Sequence, residues 1–400
     1  MTTPQHVMHI ISELGPGGVE RQLVKALAAF DKDKFTQQVC CITRGGIYEE
    51  ELKRNHIPYT IILRRGRYDF TIIRQMSSLL RREKIDIVHS YNFTANAWGR
   101  LAARLTGVRR IIAHERGTAW TENRIMRQVD RLLYPVTQVL LANSEASRIM
   151  LTQKIRLPAD RIRVVHNGIP LPATRTASQA SLRSLAGIGP DVPLAGTVGR
   201  LDTPKGHLFL LKAIPLVWQQ VPEAHFVLIG SGPLLSYLET EARRLDLFAR
   251  GCFKMLGFLP DPSDRFPELD LLVHPSIRES LGNVLIEASL AGLPVVASSV
   301  DGIPEVIVHE KTGLLVEGSQ PVTYVPTPGA SPLPEVVVDG ITRRLRPPLG
   351  PDPADLSRAI VQLLRDPARR AEMGSQGRSR AAQQFSLEQY IRSVEAIYLE

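Results

Sequence analysis

The sequence predicts an α/β chain with two doubly wound parallel sheets, one in each half, and three observations carry that prediction. Short β-rich runs alternate with helical patterns along the 400 residues. Strands alternating with helices make βαβ units, and these assemble into parallel sheets. The alternation runs twice, separated by a polar stretch, Leu171-Pro-Ala-Thr-Arg-Thr-Ala-Ser-Gln-Ala-Ser181, that reads as a linker. A chain of this length also exceeds what one hydrophobic core ordinarily serves, so two or three domains are expected.

In the first half, His6–Glu13 reads as a strand, then a Gly-rich turn, then a helix with Val19, Leu23, Leu27 and Phe30 on one face. Further strands are expected at Gln38–Thr43, Tyr59–Leu63, Ile85–His89, Arg110–His114 and Val139–Asn143. The second half repeats the pattern at Leu194–Gly199, His225–Gly230, Leu271–His274 and Pro294–Ser298, each strand followed by a helix. The expected division is 1–170 and 171–386, two domains facing across a cleft, with ligands at the carboxyl ends of the strands. The Pro- and Gly-rich segment 318–350 reads as a surface insertion. Within it, Pro334-Glu-Val-Val-Val-Asp-Gly-Ile-Thr342 resembles Pro304-Glu-Val-Ile-Val-His-Glu-Lys-Thr312, a local duplication. Arg343 stands where the first copy has Gly313, so the turn is not expected to repeat.

At 44% hydrophobic and 22% charged residues the chain is globular rather than disordered or fibrous. It lacks a run of 18 apolar residues, so a membrane span is not expected, and Met1-Thr-Thr-Pro-Gln-His6 has no basic n-region followed by an apolar h-region, so no signal peptide is expected. Cys40, Cys41 and Cys252 fit neither a disulfide framework nor a metal-ligand pattern, so the cytoplasm is the expected compartment. Charge is unevenly spread. Residues 1–172 hold 27 Lys and Arg against 15 Asp and Glu, whereas the remainder holds 22 against 25. A basic first domain suits an anionic partner: nucleic acid, a phospholipid surface or a phosphorylated acceptor. Arg64-Arg65-Gly-Arg67 and Arg81-Arg82-Glu-Lys84 bracket an amphipathic stretch with Phe70, Ile72, Ile73, Met76, Leu79 and Leu80. A core-packed helix with a solvated basic face is the leading reading, peripheral docking on anionic lipid the functional one.

The most informative segment is His274-Pro-Ser-Ile-Arg-Glu279-Ser-Leu-Gly-Asn-Val-Leu-Ile-Glu287. A short apolar strand ends in a polar turn, and an apolar-periodic helix begins near Leu281. Glu279 and Glu287 lie eight positions apart, which returns them to nearly one helical face. They flank a helix start whose N–H groups at Gly282, Asn283 and Val284 attract anions. Carboxylates beside an anion site make sense for a sugar nucleotide, whose hydroxyls take acceptors and whose phosphates take donors and cations. Arg200 and Lys205, at the carboxyl edge of the strand Leu194–Gly199, are placed to neutralise a diphosphate.

Other motifs are weaker. Gly15-Pro-Gly17-Gly18 is a tight loop before a helix, but Glu20 stands where a dinucleotide fingerprint needs a third glycine. Gly230-Ser231-Gly232-Pro233 is a strand-to-loop turn and Asn167-Gly168 a hinge-like one. His114 closes a strand, where a structural hydrogen bond is the commoner role, though the carboxyl edge raises its functional weight. Asp31-Lys32-Asp33 has the spacing of a metal clip but reads as a solvated turn, so no metal is expected.

Together these residues resemble glycosyltransferase family 4, retaining nucleotide-sugar enzymes of the GT-B two-domain fold. The resemblance spans most of the chain and is strongest across 194–316, where Glu279 and Glu287 are followed by Ala-Gly-Leu-Pro-Val-Val. It implies that 1–170 is the acceptor-side domain, that 171–386 binds the donor, and that a final helix in 387–400 crosses back to the first. By the family pattern, Glu279 contacts donor-sugar hydroxyls and Glu287 the ribose. Arg200 and Lys205 hold the diphosphate with Gly282 and Asn283, and Leu259 meets the base through its backbone. Gly17 and Gly18 close over donor and acceptor, and His114 lies near the transferred sugar; Gly230 and Val284 complete the donor-binding set. The implied activity is metal-independent, retaining transfer from a nucleoside-diphosphate sugar, with UDP favoured, to a glycan or lipid-linked acceptor in cell-envelope or exopolysaccharide synthesis. Two departures are Glu-Ser-Leu-Gly where many relatives have Glu-Gly-Phe-Gly, and the segment 318–350. The alternatives are a sugar-nucleotide epimerase on the same fold and a non-enzymatic basic binding protein; no recognition-helix signature favours nucleic acid.

Overall fold

The computed structural model describes residues 3–15, 17–64, 66, 69–117, 119–171, 181–323 and 325–400. Of the positions singled out by sequence, Met1, Thr2, Pro16, Arg65, Arg67 and the linker residues 172–180 lie outside the described residues. The chain divides into two compact units, Met1–Pro170 with Ser386–Glu400, and Leu171–Phe385.

The first unit is built on β1 (Gln5–Glu13), β2 (Phe35–Arg44), β3 (Tyr59–Ile61), β4 (Ile87–Tyr91), β5 (Arg110–Glu115), β6 (Val139–Ala142) and β7 (Ile162–Val164). They form one sheet in the order β3-β2-β1-β4-β5-β6-β7, and every pairing is parallel. From β1 the chain works outward to β3, then returns to β4 and runs the other way. The switch point therefore lies at the carboxyl ends of β1 and β4. Residues of β4 and β6 are buried throughout, the near-continuous apolar reading of strands covered on both faces. The last helix, Leu387–Leu399, belongs to this unit: Ile391, Val394 and Ile397 pack against Val7, Phe35, Ile87 and Ile112. Its entry is fixed by the cap Ser386, whose Oγ accepts the Gln389 N–H. Burying a side chain of that size contributes roughly 1.5–3 kcal/mol.

The second unit holds β8 (Leu194–Val198), β9 (His225–Ile229), β10 (Phe253–Gly257), β11 (Leu271–His274), β12 (Val295–Ser298) and β13 (Gly313–Val316). The order is β10-β9-β8-β11-β12-β13, again wholly parallel, with its switch point between β8 and β11. Leu210, Leu211 and Ile214 of the helix His207–Trp218 and Leu356 and Ile360 of the helix Pro353–Leu364 bury one face of this sheet. Within the two parallel sheets three strands were not anticipated, β7, β10 and β13, and all three are sheet edges. Two of them carry a thin apolar signal because an edge strand pairs on one side only: β7 buries Ile162 alone and β10 Phe253 alone, whereas β13 is buried at three of its four residues.

The segment 318–350 lies only partly on the surface. Gly318–Pro321 pairs antiparallel with Leu349–Pro351, and Val337–Val338 with Leu345–Arg346; Val337 and Val338 are fully buried. The duplicated turn is not repeated in form. The left-handed residue is Glu310 in the first copy (φ 63°) and Arg343 in the second (φ 56°). In the second copy the Asp339 carboxylate accepts the N–H groups of Ile341 and Thr342.

In the helix Thr71–Arg82, Ile72, Met76, Leu79 and Leu80 enter the core, while Phe70 at its start is exposed. The apolar face that docking on lipid would use is thus largely occupied. Among the described residues no helix is long and apolar enough to cross a membrane.

Candidate active site

The carboxyl ends of β10, β9, β8 and β11 lie side by side, and the residues singled out in the second half follow these four strands in turn. Leu259 comes two residues after β10, Gly230 directly after β9, Arg200 and Lys205 after β8, and Glu279 after β11. Glycines let these loops pack backbone against backbone. Gly230 has φ 149°, and a Cβ there would sit 1.9 Å from the Gly199 carbonyl oxygen. Gly206, at φ 62°, would place a Cβ 2.1 Å from the Pro275 carbonyl oxygen. The loops after β8 and β11 are also stitched together, the Pro204 carbonyl accepting the Ile277 N–H at 2.9 Å.

Lys205 closes a short 3-10 turn, Thr203–Lys205, whose cap Asp202 accepts the Thr203 N–H at 2.9 Å. Its Nζ donates to Glu279 Oε2. The same oxygen lies 3.1 Å from His274 Nε2, which in turn is 2.9 Å from Ser276 Oγ. Burial pushes the Glu279 carboxyl up, but Lys205 and His274 outweigh it and hold the group at about 2. Glu279 is therefore ionised, and an ionised carboxylate only accepts, so His274 presents Nε2–H. Burial lowers His274 below its ordinary value and keeps it neutral. His207, buried at the start of its helix, is lowered to about 4 by burial and donates Nε2–H to the Arg200 carbonyl at 3.2 Å.

Arg200 does not join the Lys205–Glu279 contact. Its side chain is 63% exposed, with Nε 3.5 Å from Asp202 Oδ2. The helix after β11 begins at Asn283, two residues later than expected, with Gly282 as its cap at φ 94°. Gly282 makes no side-chain cap hydrogen bond, and the N–H groups of a helix's first turn, here including Asn283 and Val284, point beyond its start. Glu287 lies one turn into the same helix and is buried.

The remaining candidates belong to the first unit. Gly17 caps the helix Gly18–Leu27, and a Cβ at Gly17 would fall 1.9 Å from Glu20 Oε2. Glu20 thus folds back over its own helix start, and burial raises its pKa. His114 is the penultimate residue of β5 and is fully buried rather than placed at an open edge. Its Nδ1 lies 3.3 Å from His89 Nε2, and its ring stacks on those of His89 and Tyr390. His89 Nδ1 is 2.6 Å from the Tyr398 hydroxyl of the last helix. Burial holds His89 and His114 well below the ordinary histidine value, so both are neutral. Among the described residues His114 Nε2 has no hydrogen-bond partner.

Sequence reading missed Asp301. It follows β12 at φ 46°, in the left-handed region that Asp tolerates better than most residues. Oδ2 accepts the Glu279 N–H at 3.0 Å and Oδ1 the Val338 N–H at 2.7 Å. Asp301-Gly302, three residues past the end of β12, is a turn signal that marks the position without revealing these partners. His274 was read only as a strand end. Asp31-Lys32-Asp33 is a turn in which Asp31 Oδ1 accepts the Asp33 N–H and Oδ2 pairs with Lys34 at 2.8 Å.

An ionised acid, a lysine and a helix start thus stand together at the switch point of the second sheet. Solved structures share the fold. The chain aligns with HepE of Anabaena, determined with UDP and glucose, at TM-score 0.79 and 22% identity, covering 98% of this chain and 99% of that one. Sucrose-phosphate synthase of Thermosynechococcus elongatus aligns at TM-score 0.73 and 18% identity, covering 98% of each chain. The class is thus the GT-B fold.

Sequence narrows this further. Residues 16–171 match the family described as Glycosyltransferase Family 4, and residues 192–327 match Glycosyl transferases group 1. An Escherichia coli UDP-Gal:alpha-D-GlcNAc-diphosphoundecaprenol alpha-1,3-galactosyltransferase is 24% identical over 320 residues, covering 75% of this chain and 81% of that protein. A D-inositol 3-phosphate glycosyltransferase of Nocardia farcinica is 28% identical over 334 residues, covering 80% and 69%. The chain belongs to glycosyltransferase family 4, and it is a glycosyltransferase.

Proposed function

We propose that the protein transfers a sugar, with retention of anomeric configuration, from a UDP-sugar to a hydroxyl of a glycan or lipid-linked acceptor in cell-envelope or exopolysaccharide synthesis. The observation that carries this reading is the contact of Lys205 and His274 with one oxygen of Glu279 at the β8/β11 switch point. Lys205 and Glu279 meet through Nζ and Oε2. With donor, Lys205 and Arg200 take the diphosphate and Glu279 accepts from sugar hydroxyls, while Glu287 takes the ribose and the backbone of Leu259 the base. Breaking the anomeric C–O bond places negative charge on the departing diphosphate. Fixed cations and the N–H groups at Gly282, Asn283 and Val284 stabilise that charge, ordinarily the largest catalytic term. His114 and the loop at Gly17 and Gly18 serve the transferred sugar and the acceptor.

A lipid-linked acceptor is supported by the printed activity of the Escherichia coli relative, and UDP as carrier by that name and by the ligands of HepE. Because cations of the chain meet the diphosphate, we propose no resident metal, and turnover in excess EDTA is expected to match the untreated enzyme. The basic first unit supports a cytoplasmic protein that contacts anionic membrane peripherally. Co-sedimentation with anionic vesicles that falls with salt is the expected outcome, and binding indifferent to both rejects the contact.

The deciding experiment screens UDP-, GDP- and ADP-sugars by thermal shift, then follows transfer by proton NMR. Stabilisation by a UDP-sugar and an axial-to-axial product are expected. An inverted product overturns retention, and return of an epimerised nucleotide sugar without acceptor overturns transfer.

A further inference from the structure

We infer that the segment 318–350 is a positioning element of the donor site, acting chiefly through Asp301. The inference rests on the reading of Lys205 and Glu279 given above.

The segment reaches both loops that carry the charged residues. On the β11 side, Asp301 is shared. One carboxylate oxygen accepts the Glu279 N–H at 3.0 Å and the other the Val338 N–H at 2.7 Å, and the Asp301 N–H donates to the Val338 carbonyl at 2.8 Å. Arg343 closes the contact, donating to the Asp301 carbonyl at 2.9 Å and pairing with Glu305 at 2.7 Å. The following Gly302 donates to the Glu279 carbonyl at 3.1 Å, and a Cβ on it would lie 2.0 Å from the Ser280 carbonyl oxygen. The turn 279–282 leading to the helix start is thus held by Asp301 and Gly302, and these by the segment.

On the β8 side, Ser331 binds Asp202, the cap of the Lys205 turn, through its N–H at 2.7 Å and its hydroxyl at 2.6 Å. Both links end on a buried carboxylate, and Asp301 keeps a left-handed backbone that most residues avoid. A backbone held in that region by hydrogen bonds from two separate elements is over-determined, which is how a site keeps a loop in one geometry.

The test is titration calorimetry with UDP on the full chain. Asp301→Gly keeps the backbone accessible at φ 46° while removing both acceptors, so the fold is expected to survive. UDP binding is expected to weaken about tenfold with a melting temperature near that of the parent. Asp301→Asn, which retains one acceptor, is expected to recover part of the loss, and Ser331→Ala to cost about threefold. In a Lys205→Ala background, Asp301→Gly is expected to add little, because contacts that act through one another are not additive. Unchanged UDP binding in Asp301→Gly, beside a large loss in Lys205→Ala, overturns the positioning role and leaves the site reading intact. Failure of UDP to bind the parent chain, or unchanged binding in Lys205→Ala, overturns the site reading itself and this inference with it. If Asp301→Gly proves unfolded, Ser331→Ala decides alone.

Discussion

The two units share one plan, but Glu279 at the switch point of the second stays charged where the buried histidines of the first do not. Each is a parallel sheet with a switch point beside its first strand. In the second unit, Glu279 meets two partners, Lys205 and His274, and remains ionised despite burial. In the first, His9, His89, His114, Tyr91 and Tyr398 form a buried network of rings, and burial drives the three histidines to the neutral form. The contrast is one of compensation. A buried group stays charged only where an opposite charge offsets desolvation, and otherwise it gives up its charge. On the proposed function, the charged group of the second unit serves the diphosphate leaving group and the neutral network of the first a sugar hydroxyl.

The largest expected effect tests the charged side. Lys205→Ala and Glu279→Ala are each expected to lower kcat at least roughly 100-fold, the scale of one lost transition-state contact. Near-normal turnover in both removes the donor site from these loops. On the neutral side, His114→Ala is expected to cost about tenfold in kcat/KM and to leave UDP affinity unchanged. Weakened UDP binding in that variant breaks the division of labour between the units.

Stability against pH sharpens the comparison within the second unit. Glu279 is lowered to about 2, so its contribution is present above the ordinary carboxyl value near 4.5 and is lost as pH falls from there toward 2. Asp301 is raised to about 7 by burial, only partly offset by the Val338 and Glu279 N–H groups and by Arg278, with Glu279 adding to the rise. Its sign is opposite: the unfolded chain sheds this proton near 3.8, so the contribution falls as pH rises from there to about 7. Melting curves from pH 3 to 8 check both. Relative to Glu279→Gln the parent is expected to lose ground below pH 4.5, and relative to Asp301→Asn to lose ground between pH 5 and 7. The smallest expected effect belongs to Tyr398→Phe, which deletes the hydroxyl against His89 at a cost of about 1 kcal/mol by denaturant melting.

Much of the architecture was legible because central parallel strands are buried on both faces and write continuous apolar runs. Leu271-Leu-Val273 and Val295-Val296 are of that kind, while the edges β7 and β10 bury one residue each and left too little hydrophobic pattern to read. The candidate residues of the second half were legible for a related reason. Arg200, Lys205 and Glu279 each follow a strand directly or by a few residues, so a correct strand assignment places them at one edge. That Lys205 touches Glu279 while Arg200 turns to Asp202 was not readable, because it depends on loops 74 residues apart in sequence.

The near-repeat Pro304–Thr312 and Pro334–Thr342 separates the two kinds of information. Nine residues identical at five positions lead in one copy to a strand paired parallel in the main sheet and in the other to an antiparallel hairpin. By itself the sequence determined the periodicities, the turn chemistry and which residues carry charge, since these depend on neighbours a few positions away. Only the tertiary structure decided that the second copy would bury Val338 against Asp301, that Asp301 would hold Glu279, and that the buried His114 would stack on His89. Burial and long-range pairing are properties of the packed chain, and they set whether a group keeps its charge and which direction it faces.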